Sequence, residues 1–280
     1  MRFGINTFLF TSPFTNDSVR LFPQFKKWGF DTVEIAIEDI SHVDPALVRK
    51  ALDEHGLVCG SVGAVMGAGR DLRGTPGEQD AAMQYLKGVI AMLPQLGCHT
   101  LIGPIYSSVG RAEAVTEEEY KTQWATVVKH LKVLAPYAGQ LEVKLAIEPL
   151  NRYETDFINT CEQALKLIHD VDHDALMLML DTFHMNIEEK DPAKAIIKAG
   201  SKLRHLHACG CDRGTPGGDQ INWKTIAAAL KKIKFSGDVV IESFTQDVKA
   251  IAKAASIWRS IEPSKDDIAV KGLKFLQTSL

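Results

Sequence analysis

LMLMLDTFHMN, residues 176–186 of the chain, contains five apolar residues that end at Asp181, and His184 follows three positions later. A short apolar run that stops at a carboxylate is typical of a strand buried on both faces, with functional groups at its C-terminal end. Three other apolar runs in the second half of the chain have the same form and end at Glu148, His207 and Glu242. Four such strands predict one site built by several strands, as in a (β/α)8 barrel.

The rest of the chain repeats this alternation of strands and helices. Eight strand-like runs begin near Arg2, Thr32, Leu57, His99, Val143, Leu176, Leu203 and Asp238. Segments with one apolar stripe at helical period lie between them. The sequence therefore predicts an α/β protein, a single (β/α)8 TIM barrel domain over residues 1–280. After strand eight we expect a helix that runs to Ser260 and an extra C-terminal helix from about Ile268 to Leu276.

Composition limits the classes of function. Of the 280 residues 45% are hydrophobic and 24% are charged, which is typical of a soluble globular protein. The net charge of −3 offers no positive field for a polyanion, so we expect no nucleic-acid partner. No apolar run reaches 18 residues, so we expect no membrane span. Five cysteines without a disulfide-like framework are typical of a reducing compartment, and we expect a cytoplasmic protein.

The four strand-end residues Glu148, Asp181, His207 and Glu242 have the composition of a metal site. Three carboxylates with one imidazole suit Mn²⁺, Mg²⁺ or Co²⁺ better than they suit Zn²⁺. Strand alternation puts His205 and His207 on one face, so His207, nearest the mouth, is the predicted ligand and His205 an interior residue. Unrelated polar strand ends are the alternative, but four in register on consecutive strands argue against it.

A divalent ion beside two carboxylates indicates proton transfer next to a carbonyl. Such an ion would lower the pKa of the neighbouring C–H and hold the enediolate that forms. Glu148 and Glu242 come from strands five and eight, so one glutamate can remove a proton from one side of a carbon while the other returns a proton to the opposite side. The expected outcome is inversion at that carbon.

Four segments resemble the signatures of a known family: IEPLNRYET (147–155), LDTFHMNIEE (180–189), HLHACGCDRGTPG (205–217) and VVIESF (239–244). They are similar to the ketose 3-epimerases, the D-tagatose and D-psicose (D-allulose) 3-epimerase group of the xylose-isomerase-like barrels. The resemblance implies that the four strand-end residues hold a metal, normally Mn²⁺. It also implies that Glu148 and Glu242 form the acid/base pair at C3 of a free ketose. Glu154, His184 and Arg213 would contact the C1 and C2 end of the sugar.

The walls of the sugar pocket depart from the family pattern. Several members carry a tryptophan after strand four, where this chain has IYSSVG (105–110). Phe8 and Met66 stand where residues vary between members and would contact C4 to C6. Phe244 either packs against the sugar or belongs to the barrel rim. D-allulose, D-fructose, D-tagatose, D-sorbose and L-ribulose all remain open as substrates.

Three other functions remain as alternatives. An aldose–ketose isomerase of the hydroxypyruvate or xylose type would move a proton between C1 and C2 instead of inverting C3. An apurinic endonuclease would need more histidines and a basic surface. A sugar- or metal-binding protein would keep the site without turnover. For assembly, Trp258 and the segment to Ile261 could form a partly exposed apolar patch. The resemblance implies homodimers or homotetramers. The alternative is a last helix that packs on its own barrel.

Overall fold

Eight parallel strands close into a barrel in chain order, so that each strand pairs with its sequence neighbours and β1 pairs with β8. The computed structural model describes residues 1–280. The strands are β1 (Arg2–Asn6), β2 (Thr32–Ile37), β3 (Val58–Ala64), β4 (Thr100–Gly103), β5 (Lys144–Ile147), β6 (Leu176–Asp181), β7 (Leu203–His207) and β8 (Asp238–Ile241). Every strand begins within one residue of the predicted position. The prediction of a (β/α)8 barrel is confirmed.

Ten α-helices accompany the strands. They are α1 (Phe22–Trp28), α2 (Pro45–Glu54), α3 (Pro76–Leu96), α4 (Glu117–Gln140), α5 (Cys161–Val171), α6 (Thr182–Glu188), α7 (Pro192–Ala199), α8 (Trp223–Lys232), α9 (Lys249–Ala254) and α10 (Lys265–Ser279). Thr160 and Gln163 form a capping box at α5, which satisfies backbone N–H groups that have no partner within the helix. None of the helices is long and apolar enough to cross a membrane.

The apolar stripe of each outer helix faces the barrel. In α5 the apolar stripe at helical period is buried: Ala164, Leu167, Ile168 and Val171. Burial of a leucine or isoleucine side chain contributes roughly 1.5–3 kcal/mol each, so these stripes hold the helices on the strands. A continuous core of this kind keeps the strand ends in fixed relative positions, which a site shared by several strands requires.

The segment after β8 differs from its prediction. The helix expected to reach Ser260 ends at Ala254, because Ser256 has a left-handed backbone (φ 57°) and the Ile257 N–H donates to the Ala252 carbonyl at 2.8 Å. This turn takes Trp258 off the helical stripe and leaves it 71% exposed. The C-terminal helix α10 is longer than expected at both ends and packs against β1 and β8.

Candidate active site

The four predicted ligands meet at the C-terminal mouth of the barrel. Asp181 and His207 are the last residues of β6 and β7 and are paired in register, while Glu148 and Glu242 directly follow β5 and β8. Nδ1 of His207 lies 3.1 Å from Oε2 of Glu242, 3.6 Å from Oδ2 of Asp181 and 3.9 Å from Oε1 of Glu148. One ligand atom from each of the four residues lies within 4.8 Å of all the others, so a single ion can contact them together.

The donor atoms fit a divalent cation. Nδ1 of His207 is buried without a hydrogen-bond partner, which is costly for a polar atom that has no ligand. Three carboxylates surround this nitrogen, and hard divalent ions such as Mn²⁺ and Mg²⁺ prefer oxygen ligands. The site therefore has the composition and spacing of a metal centre.

Three carboxyl groups lie close together in this site and shift one another's pKa values. Burial raises the pKa of Glu148 well above its ordinary value, and the nearby Glu242 and Asp181 carboxylates act in the same direction. Burial also opposes ionisation of Asp181, but the Arg213 guanidinium together with His207 and His184 outweighs it and holds the pKa of Asp181 well below its usual range. A cation placed among these groups would counteract this repulsion and favour the ionised form of Glu148.

Arg213 reaches the centre of the site from the loop after β7. Its Nη1 donates to Oδ2 of Asp181 at 2.7 Å and to Oε2 of Glu242 at 3.2 Å. Its backbone is left-handed, with a φ of 67°. The guanidinium carbon lies 4.2 Å from the ring centroid of Phe183 and 5.0 Å from that of Phe244. These two rings hold the charge in place beside the carboxylates, as cation–π contacts do.

His184 is held in one tautomer by the loop after β5. The backbone N–H of Asn151 donates to Nδ1 of His184 at 3.0 Å, so a neutral ring carries its proton on Nε2. Burial and the charge of Arg213 lower the pKa of His184 to about 3, which keeps the ring neutral. Nη2 of Arg213 lies 3.0 Å from Nε2. Both groups are donors in this state, so they are available to donate to one shared oxygen acceptor.

Glu154 lies in the same loop, on the other side of Asn151. Nδ2 of Asn151 donates to Oε1 of Glu154 at 2.7 Å, and burial raises the pKa of the Glu154 carboxyl. Glu154 is thus partly buried and bonded rather than freely solvated. Asn151 orients both Glu154 and His184, and it had no assigned role in the sequence analysis.

The three apolar residues predicted to line the pocket are in different environments. Phe8 packs against a small cluster that includes Phe244, at the rim of the barrel. Phe244 also stacks on Arg213, so it touches the site through that guanidinium. Met66 is 1% exposed and packs in the main core. Contact of these three side chains with a sugar stays a prediction.

Two further residues of the site were missed by the sequence analysis. Glu34 on β2 and Asn6 at the end of β1 are both buried, and Nε2 of His207 lies 2.8 Å from Oε1 of Glu34. The signal for Glu34 was a single charge inside the apolar run TVEIAI, since charged residues are rarely fully buried unless they are paired. The signal for Asn6 was a polar residue at the C-terminal end of a barrel strand.

Comparison with known proteins identifies relatives over the whole length. The family model for the xylose isomerase-like TIM barrel matches residues 22–278. A protein named "Probable ketose 3-epimerase" from Synechocystis sp. is 35% identical, and the alignment covers 99% of this chain and 96% of that protein. An L-ribulose 3-epimerase from Methylomonas sp. is 32% identical over 89% of this chain and 87% of its own length.

Solved structures agree with the sequence relatives. The structure of D-psicose 3-epimerase with D-tagatose from Clostridium cellulolyticum has a TM-score of 0.92 at 29% identity, and the match covers 100% of this chain and 99% of that chain. The chain therefore belongs to the xylose isomerase-like TIM barrel family and, within it, to the ketose 3-epimerases, which are isomerases.

Proposed function

We propose that this protein epimerises free ketoses at C3 with the help of a divalent cation, of which Mn²⁺ is the first choice and Mg²⁺ or Co²⁺ the alternatives. The main support is that Glu148, Asp181, His207 and Glu242 converge around one point. Their ligand atoms all lie within 4.8 Å of one another. The names of the relatives support the reaction class, since they are ketose, D-psicose and L-ribulose 3-epimerases.

The four strand-end residues would hold the cation. When bound, a cation at this position polarises the ketose carbonyl and lowers the pKa of the neighbouring C–H. The protein supplies the rest of the chemistry through two carboxylates on different strands. Because Glu148 follows β5 and Glu242 follows β8, the two glutamates approach the mouth from different sides.

In this proposal one glutamate removes the C3 proton and the other delivers a proton to the opposite face. The carbon becomes planar after the first step, so delivery from the other side inverts its configuration. In the reverse reaction the two glutamates exchange roles. General acid–base catalysis of this kind contributes roughly 10²–10⁴-fold to a rate.

Three other residues would position the C1 and C2 end of the ketose. Nε2–H of His184 and the guanidinium of Arg213 lie 3.0 Å apart and are both donors, so they can bind one sugar oxygen together. Glu154 would accept from a sugar hydroxyl with the oxygen that Asn151 does not engage. Phe8, Met66 and Phe244 are proposed as contacts to the C4 to C6 end, where they would set the choice among ketoses.

The test is incubation of the Mn²⁺-loaded protein with a panel of ketohexoses and ketopentoses in D₂O, followed by NMR. We expect deuterium at C3 of the substrate together with the C3 epimer, and the initial rates rank the sugars. Deuterium at C1 or C2 with formation of an aldose would instead identify an aldose–ketose isomerase on the same scaffold. Absence of exchange with every sugar would contradict the proposed reaction.

We also expect a homodimer or homotetramer. Trp258 is 71% exposed, and an exposed tryptophan of this kind is typical of interfaces. Light scattering should give a mass that is a multiple of 30.8 kDa. A mass of one chain, unchanged as the protein concentration rises, would rule out the oligomer.

A further inference from the structure

Glu34 lies below the proposed metal site, as the centre of a buried network of donors. Its Oε1 accepts from Nδ2 of Asn6 at 2.7 Å and lies 2.8 Å from Nε2 of His207. Its Oε2 accepts from the Ser61 hydroxyl and lies 2.9 Å from Nε2 of His205. Glu34, His205 and His207 are at most 1% exposed. A fully buried carboxylate of this kind is retained only where its charge is paired.

This network does not have the chemistry of a second metal site, although Glu34, His205 and His207 are grouped closely enough to hold an ion. Asn6 and Ser61 direct an amide and a hydroxyl proton at the same two oxygens. A carboxylate has about four lone-pair positions, and the donors of Asn6, Ser61 and His207 occupy three of them. Nε2 of His205 lies 2.9 Å from Oε2 without forming a well-aligned hydrogen bond. These three donors leave little of the Glu34 carboxylate free to bind an ion.

The carboxylate determines which nitrogen of His207 carries a proton. An ionised carboxylate only accepts, so Nε2 of His207 must be protonated to form the 2.8 Å contact with Oε1. The amide of Asn6 and the hydroxyl of Ser61 also donate to Glu34, so its carboxylate acts as an acceptor on both oxygens. With the proton of the neutral ring on Nε2, Nδ1 is the nitrogen that can bind a cation beside Asp181 and Glu242.

The same carboxylate is linked to one of the proposed acid/base residues through Asn6. Oδ1 of Asn6 accepts from the Phe8 backbone N–H at 2.7 Å, which establishes that the NH₂ group faces the other way. That group donates to Oε1 of Glu34 at 2.7 Å and to Oε1 of Glu242 at 3.0 Å. One oxygen of Glu242 is thus bound to Asn6, and the other faces His207 and Arg213.

We propose that Glu34 is the positioning residue of the metal centre: it fixes the tautomer and ring orientation of His207 and, through Asn6, the orientation of Glu242. This inference rests on the proposed function, since it assigns Glu34 a role toward the cation held there. A carboxylate bonded to the distal nitrogen of a ligating histidine typically contributes 10–100-fold to metal affinity. Glu34 itself touches neither the cation position nor the substrate.

The first experiment is a titration of the full-length protein with Mn²⁺ in the absence of sugar, with free Mn²⁺ followed by EPR. Glu34→Gln keeps the size of the side chain but replaces one acceptor by a donor. We expect its Kd for Mn²⁺ to rise by roughly 10–100-fold. The matched control is Ser61→Ala, which removes a bond to the same carboxylate on the oxygen away from His207. Its Kd should stay close to that of the unsubstituted protein.

The outcomes separate the two proposals. Lack of Mn²⁺ binding by the unsubstituted protein would count against the metal-dependent function itself. Binding by the unsubstituted protein with equal affinity in folded Glu34→Gln would overturn the role of Glu34 alone. A loss of affinity in Ser61→Ala as large as in Glu34→Gln would also overturn it, because general damage to the network would then explain both.

A second measurement does not depend on the folding of a variant. Nitrogen-15 NMR of histidine-labelled protein saturated with Mg²⁺, which is diamagnetic, reports which ring nitrogen of His207 carries the proton. We expect a protonated Nε2 and an unprotonated Nδ1. A protonated Nδ1 with a bare Nε2 would overturn the proposal, whatever the behaviour of Glu34→Gln.

Discussion

Glu148 and Glu242 have the same side chain but different surroundings. Glu148 is buried beside His184, whose Nε2 lies 3.8 Å from Oε1, and burial raises its pKa. Glu242 is bonded by Asn6 on one oxygen and by Arg213 on the other. Two carboxylates with such different partners are suited to act on opposite faces of one carbon, which is what inversion requires.

Replacement of either glutamate should separate proton exchange from inversion. We expect Glu148→Gln and Glu242→Gln each to lose epimerisation by roughly 10²-fold or more, since one of the two proton transfers is missing. A variant that still binds Mn²⁺ should exchange the C3 proton with D₂O on the face of its remaining glutamate, with retention of configuration. NMR of the recovered sugar measures both.

The control for this pair is Glu118→Gln, an exposed position in the first turn of α4. It should epimerise at the rate of the unsubstituted protein. Full epimerase activity in Glu148→Gln or Glu242→Gln would refute the acid/base assignment.

The protonation of His184 can be tested by a pH titration. Its pKa is lowered to about 3 by burial and by Arg213, whereas a histidine in the unfolded chain titrates at about 6.5. The unfolded state therefore binds more protons between these values, and His184 makes stability fall as the pH drops through that window. In metal-free protein the ring resonances of His184 should stay in the neutral form from pH 8 to pH 5. A midpoint near 6.5 would contradict the neutral donor.

At the scale of elements, one residue ends a strand and begins a helix. Oδ1 of Asp181 accepts from the Phe183 N–H and caps α6, while Oδ2 faces His207 and Arg213. The same carboxylate thus links β6 to α6 and contributes to the proposed metal site. This double use explains why the run LMLMLD passes into helix without a loop.

The two roles of Asp181 can be measured separately. Asp181→Asn keeps a good capping side chain but loses the charge, whereas Asp181→Ala loses both. Both variants should bind Mn²⁺ poorly. In urea with EDTA, however, Asp181→Asn should be more stable than Asp181→Ala by about 1 kcal/mol, the typical contribution of an N-cap. Asp191→Ala, at the partly exposed cap of α7, should lose a similar amount of stability and bind Mn²⁺ normally. Equal stability of the two Asp181 variants would contradict the capping role.

Some features of the strands and helices could be predicted from the sequence, and others could not. The strand ends at Glu148, Asp181, His207 and Glu242 were predictable because apolar runs of strand length that stop at one polar residue are a local pattern. Glu34 was not, because a charge in a buried strand has meaning only when its partners on three other strands are known. The early end of α9 was missed for a similar reason: Ser256 adopts a left-handed backbone that its residue type does not favour.

In the whole molecule, the proposed site brings together residues from four of the eight barrel strands. Its four residues come from β5, β6, β7 and β8, and Glu34 adds β2 through His207. Without a cation the three carboxylates repel one another, and only Arg213 and the histidines compensate them. A bound cation would join four strands that are otherwise held at their ends by main-chain pairing.

Metal removal should therefore destabilise one side of the molecule more than the other. At 100 times its Kd a ligand that binds only the folded state stabilises it by about 2.7 kcal/mol, which for a chain of this size raises Tm by about 5–10 °C. We expect that shift between EDTA and Mn²⁺, and no shift in Asp181→Ala. Hydrogen exchange should show the loss of protection in EDTA at the C-terminal ends of β5 to β8, with little change in β3. An equal Tm in both conditions would contradict a cation at this site, and an even loss of protection around the barrel would place its effect elsewhere.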